Sequence, residues 1–94
     1  LSLVKEVDIT ADFHYHWDKY MKFNDPKNSI EDVKALQTAL QTIALFPKNA
    51  VVDGLYGPIT RKAVLDFQRK YVGSHNYGVQ VGPKTLIALN NKFK

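Results

Sequence analysis

A four-residue pattern occurs twice: Gly57-Pro58-Ile59-Thr60 and Gly82-Pro83-Lys84-Thr85. Proline suits the first position of a helix, because the N–H it lacks has no intrahelical partner there and its fixed φ is already helical. Each copy therefore predicts a helix start, over 58–72 and 83–92. Two helices launched in this way, 25 positions apart, leave little room for any other plan in a chain of 94 residues.

A further helix is predicted over 29–46, where Val33, Leu36, Leu40 and Ile43 recur at helical spacing beside Ala39 and Ala44. Asn28 or Ser29 can cap its start, Glu31 and Asp32 face its positive end, and Pro47 stops it. In the second helix Ile59, Ala63, Phe67 and Tyr71 form one row with Val64 beside it, and Gly73 ends it. In the third, Leu86, Leu89 and Phe93 form the buried face. The expected fold class is all-α: a compact three-helix bundle with an N-terminal extended arm or short strand. The arm, residues 1–19, precedes a domain over 20–94. Ile9, Ala11, Phe13, Tyr15 and Trp17 alternate along it, which argues a strand or extended segment over 4–17. So aromatic a stretch is expected to pack on the helices or on a partner.

The turn before Pro58 reads Asp53-Gly54-Leu55-Tyr56-Gly57. Asp53 can accept from N–H groups of that turn, and Gly54 supplies backbone angles closed to other residues. Gly57 is expected to let the chain approach the helix end closely, and Thr60 to bond to the first helical turn. Counting back from Gly82, Gly78 stands where Asp53 does and Val79 where Gly54 does, so the second turn should be built differently. Gln37 and Gln68 read as buried amides that satisfy loop backbone groups, rather than as ligand contacts.

Cysteine is absent, so neither disulfides nor thiolate chemistry enter. No apolar run approaches the roughly 20 residues a membrane span needs. The chain opens on Leu1, which reads as a piece of a longer protein, with a neighbouring domain and any export signal outside it. The net charge of +4 is uneven: from Lys48 onward eight basic residues face two acidic ones. That half attracts anionic partners. Nucleic acid is not expected among them, since no basic stripe interleaved with aromatics is present. Nor does either glycine turn carry the spacing of a phosphate loop. His14 and His16 would share one side of a strand, but zinc sites need at least three protein ligands, and only Asp12, Asp18 and the distant His75 could add to them. No metal, cofactor or catalytic residue is expected.

The run "EDVKALQTALQ … VDGLYGPITRKAVLDFQRKY … GVQVGPKTLIALN" resembles the peptidoglycan-binding domain family, three-helix modules found beside bacterial and phage cell-wall hydrolases. The resemblance covers roughly residues 20–91, and rests on Leu36-Gln37, the D-G-x-x-G-P-x-T turn, Ala63-Val64 with Phe67-Gln68, and the final G-P-x-T-x-x-x-L. It departs in the longer 72–79 loop, the altered second turn and the aromatic arm. The resemblance implies noncatalytic attachment to peptidoglycan, anchoring a covalently attached cell-wall-active or structural protein. The location would be extracellular, on the wall, or in a phage particle. A module for protein–protein contacts in a phage particle or secretion apparatus is the alternative. A wall binder needs aromatic surface for sugars and cations for stem carboxylates. Tyr56 and Tyr77, each in a loop before a Gly-Pro start, and Arg61 and Lys62 are the candidate binding residues.

Overall fold

The computed structural model describes residues 13–94. Residues 4–12 of the expected extended segment, with Ile9, Ala11 and Asp12, lie outside the described residues. Helix α1 spans Ile30–Thr42, α2 spans Pro58–Phe67 and continues into a π-helical turn over Gln68–Val72, and α3 spans Pro83–Lys92. Two short strands, β1 (Met21–Lys22) and β2 (Gln80–Val81), pair antiparallel with Met21 opposite Val81. The all-α expectation holds, with this small ribbon added.

Each helix end has a local cause. The Ser29 hydroxyl accepts from the Asp32 N–H at 3.2 Å and caps α1. That helix stops earlier than Pro47 would require. Ala44 enters the left-handed region at φ 64, Leu45 N–H donates to the Leu40 carbonyl and Ala44 N–H to the Gln41 carbonyl. These two bonds form a Schellman ending, with alanine where glycine is usual. The reversal returns Phe46 to the core, where it is 2% exposed. α2 and α3 begin on glycines of nearly identical conformation, Gly57 at φ −98, ψ −164 and Gly82 at φ −93, ψ −162, each followed by its proline.

The core gathers Val33, Leu36, Leu40, Val64, Phe67 and Leu89, with Trp17 and Met21 from the N-terminal side. Two residues of the expected second-helix row do not join it. Ile59, in the first turn of α2, is more than half exposed, and Tyr71, in the π-helical turn, is at the surface. Leu86 is only half-buried.

Residues 13–17 keep the expected alternation without forming a strand. Phe13, Tyr15 and Trp17 turn inward, while His14 and His16 face out. Trp17 is fully buried, its indole N–H donating to the Asp32 carbonyl at 3.0 Å. Asn90 clamps the backbone of Trp17 from both sides: its Oδ1 accepts from the Trp17 N–H at 2.8 Å and its Nδ2 donates to the Trp17 carbonyl at 2.9 Å. The Tyr15 hydroxyl donates to the Asp32 carboxylate at 2.6 Å, and that bond pushes its pKa up to about 12. These bonds tie residues 15–17 to α1 and α3.

Candidate functional site

The three helices are joined through two connections, and the same glutamine device closes both. Gln37 leaves α1 fully buried. Its Nε2 donates to Asp53 Oδ1 (3.1 Å), the Leu55 carbonyl (3.0 Å) and Thr60 Oγ1 (3.0 Å), and its Oε1 accepts from the Gly54 N–H (3.0 Å). Gln68 does the same at the end of α2. Its Nε2 donates to Asn76 Oδ1 (2.9 Å), the Gln80 carbonyl (3.0 Å) and Thr85 Oγ1 (3.1 Å), and its Oε1 accepts from the Gly78 N–H (3.1 Å). No buried side-chain polar atom among the described residues lacks a partner. Both glutamines are therefore structural, as expected.

This correspondence corrects the reading of the second turn. Asn76 takes the place of Asp53, and Gly78, at φ 74, takes that of Gly54, at φ 77. Tyr77 is one inserted residue, itself left-handed at φ 60. Val79, between Gly78 and Gln80, is a second, and counting back from Gly82 without both insertions hides the match. The tight approaches are at these two glycines rather than at Gly57, where a Cβ would meet nothing within 4 Å. A Cβ on Gly78 would lie 2.0 Å from the Arg61 carbonyl oxygen, and one on Gly54 would lie 2.5 Å from Ile30 Cγ2. Thr60, expected to serve the first helical turn, instead accepts from Gln37 and donates to the Leu55 carbonyl at 3.4 Å. Asp53 does organise its turn, accepting from the Leu55 N–H at 2.9 Å. That bond, then the one from Gln37, holds its carboxyl below the usual range.

Each device floors a hollow beside a Gly-Pro helix start. The first, about 410 Å³, is edged by Phe46, Val51, Leu55, Pro58, Ile59 and Thr60. Its rim is apolar and open, with Val51, Leu55 and Ile59 all more than half exposed. The second, about 340 Å³, is more polar, edged by Gln68, Ser74, His75, Asn76, Pro83 and Thr85. Both fall within the size range of small-ligand pockets.

The four candidate residues separate. Tyr56 is 3% exposed, packed edge-on against Phe23, with its hydroxyl donating to the Gly78 carbonyl at 2.6 Å. Burial pushes its pKa up. It ties the two connections together, and its ring is packed inside rather than presented on the surface. Arg61 and Tyr77 are brought together. Arg61 Nε donates to the Tyr77 carbonyl at 3.0 Å, and its guanidinium lies 5.1 Å over the Phe23 ring. The Tyr77 ring, 63% exposed, stands edge-on to His75 at 4.7 Å. Lys62 is apart from them, paired with Asp66 at 2.8 Å one turn along α2.

Residues 29–72 match the family model described as a putative peptidoglycan binding domain. That is the family the motifs resemble. The matched stretch holds all of α1, the first glutamine device with its hollow, and all of α2 with its π-helical turn. The match supports peptidoglycan binding in general, by a binding domain rather than a catalytic one. No curated protein and no solved structure matches the chain. Among the described residues no helix is long and apolar enough to cross a membrane, and no group of three His, Asp or Glu side chains could hold a metal ion. His14 Nδ1 lies 2.7 Å from the Lys94 carbonyl oxygen and His16 lies 3.1 Å from Asp18, so the two imidazoles are engaged at separate places.

Asn76 and Asn90, which order the second connection and the N-terminal segment, escaped the sequence reading. The signal for Asn76 was its place two residues before a glycine. Asn90 carried none, since its partner lies 73 residues away.

Proposed function

We propose that the chain binds peptidoglycan without cleaving it and anchors an attached cell-wall-active or structural protein to the wall. The observation that carries this reading is that the family match spans every residue edging the first hollow. Its apolar rim suits the carbon faces of sugar rings, and the rigid turn beneath it keeps that rim in place. The linked Arg61–Tyr77 pair adds a cation for a stem carboxylate and an open ring face for a sugar. Lys62 adds charge only, and Tyr56 acts by holding the two connections together. Anchoring would raise the local concentration of the attached protein on its polymer.

Co-sedimentation with purified sacculi tests this. Leu55→Asp and Tyr77→Ala should each weaken binding about tenfold, the size of one good interface contact. Lys62→Gln should change it less than about twofold, as a rim charge does. Failure of the wild-type chain to sediment with sacculi at moderate salt would overturn the reading.

A further inference from the structure

Beyond Asp66 the chain has no acidic residue, while Arg69, Lys70, Lys84, Lys92 and Lys94 follow. Two of these lysines, Lys84 and Lys92, edge one hollow on the face between the π-helical turn and α3, and Lys70 shares the Tyr71 ring with Lys92. The hollow, about 590 Å³, is edged by Tyr71, Val72, Lys84, Ile87, Asn91 and Lys92. Lys92 Nζ lies 4.7 Å from the centre of the Tyr71 ring and Lys70 Nζ lies 5.6 Å from the same point. Lys84, eight residues before Lys92 on α3, extends the positive line by about 12 Å at the helical rise.

None of these ammonium groups pairs with an acidic side chain of the described residues. The carboxylate pairs among the described residues are His16–Asp18 and Lys62–Asp66, and neither touches this face. Two cations drawn to one ring repel each other, and the ring offsets only part of that. An anion in the hollow gains from the positive charge of Lys84 and Lys92 at its edge.

We infer that this hollow takes a linear polyol-phosphate polymer of the cell wall, in addition to the peptidoglycan proposed for the first hollow. Three physical features favour that occupant. The cations at the hollow are lysines, point charges suited to phosphates spaced along a flexible chain; no arginine fork for bidentate carboxylate recognition edges it. Ile87, 62% exposed, and Val72 give apolar contact for the CH₂ groups between phosphates, and Asn91 can bond a hydroxyl. The Tyr71 ring is occupied by the two ammoniums and by Phe67 at 4.9 Å, so it offers no platform for stacking a nucleobase.

The probe is synthetic poly(glycerol phosphate), titrated into the 94-residue chain at several salt concentrations and followed by calorimetry. The double variant Lys84→Gln/Lys92→Gln should bind at least tenfold more weakly, with a salt slope shallower by about 2, one for each lost phosphate contact. A charge-matched control, Lys19→Gln/Lys48→Gln, removes two exposed lysines elsewhere and should stay within twofold of wild type. Three results would overturn the assignment: no binding of the probe, equal loss in both double variants, or tighter binding of single-stranded DNA of the same charge through the same lysines. Sacculi stripped of phosphate polymers separate the two readings. Loss of binding there sinks the peptidoglycan reading alone, while unchanged binding by Lys84→Gln/Lys92→Gln on that material is expected under both.

Discussion

The two connections reach one hydrogen-bond pattern from unequal material. The first has the longer loop, a glutamine within a regular α-helix, and an ionised Asp53 as its organiser. The second is shorter overall, starts its glutamine at a π-helical turn, uses neutral Asn76 and absorbs two extra residues in the turn, Tyr77 and Val79. In the second connection the Gly73 N–H reaches back five residues to the Gln68 carbonyl, so the helix end itself widens where the loop turns back. The shared part is the glutamine amide, with a donor and an acceptor on one rigid group, answered by a left-handed glycine and a threonine. The difference shows which parts are free to vary: the organiser's charge, the loop length and the exposed tip.

Breaking the glycines should have the largest effect, and an unequal one. Gly78→Ala drives a Cβ into backbone and adds left-handed strain, which together should cost about 4 kcal/mol. Gly54→Ala meets the Ile30 Cγ2 methyl and, at 2.9 Å, the Ile30 carbonyl oxygen, a smaller backbone overlap than at Gly78, and should cost about 2 kcal/mol. Urea denaturation checks the order; equal costs would mean that the Arg61 backbone yields as readily as the Ile30 side chain.

Next come the glutamines. Gln37→Leu and Gln68→Leu each leave a buried glycine N–H without its partner, and Gln68→Leu also strips Thr85 of its bond, so each should lose about 2–4 kcal/mol. If only one variant were damaged, the correspondence between the two connections would be one of shape and not of energetics.

Acid separates the connections without mutation. The folded pKa of Asp53 is below its ordinary value of 3.8, so its contribution is fully present above that value and is lost as pH falls through the folded pKa. Amide exchange at the Leu55 N–H should therefore speed up below about pH 4 relative to the Gly78 N–H, whose organising residue does not titrate. Asp53→Asn should abolish that contrast.

The smallest effect is expected at the inserted Tyr77. Tyr77→Gly exchanges relief of a strained left-handed residue for a more flexible unfolded chain, and should alter stability by less than about 1 kcal/mol. Its loss of sacculus binding would then report recognition rather than folding.

The N-terminal segment shows where sequence reading stopped. The alternation of Phe13, Tyr15 and Trp17 told which side chains point together, but not what they face. Trp17 proves to be core because Asn90 and Asp32 bind its backbone and its indole. Tyr56 shows the same gap at the site: a loop tyrosine beside a glycine reads as exposed until Gly78 supplies a carbonyl for its hydroxyl.

Local chemistry determined the helix starts at Pro58 and Pro83, the Ser29 cap, the apolar faces and the glutamines' part in the turns, since each depends on residues a few positions apart or on a motif repeated in order. Tertiary structure decided which tyrosine is buried, that Asn76 replaces Asp53 across two insertions, and that Lys70 and Lys92 meet at one ring. Those outcomes depend on how helices lie against each other, and a period along the chain carries no information about the distance between two faces.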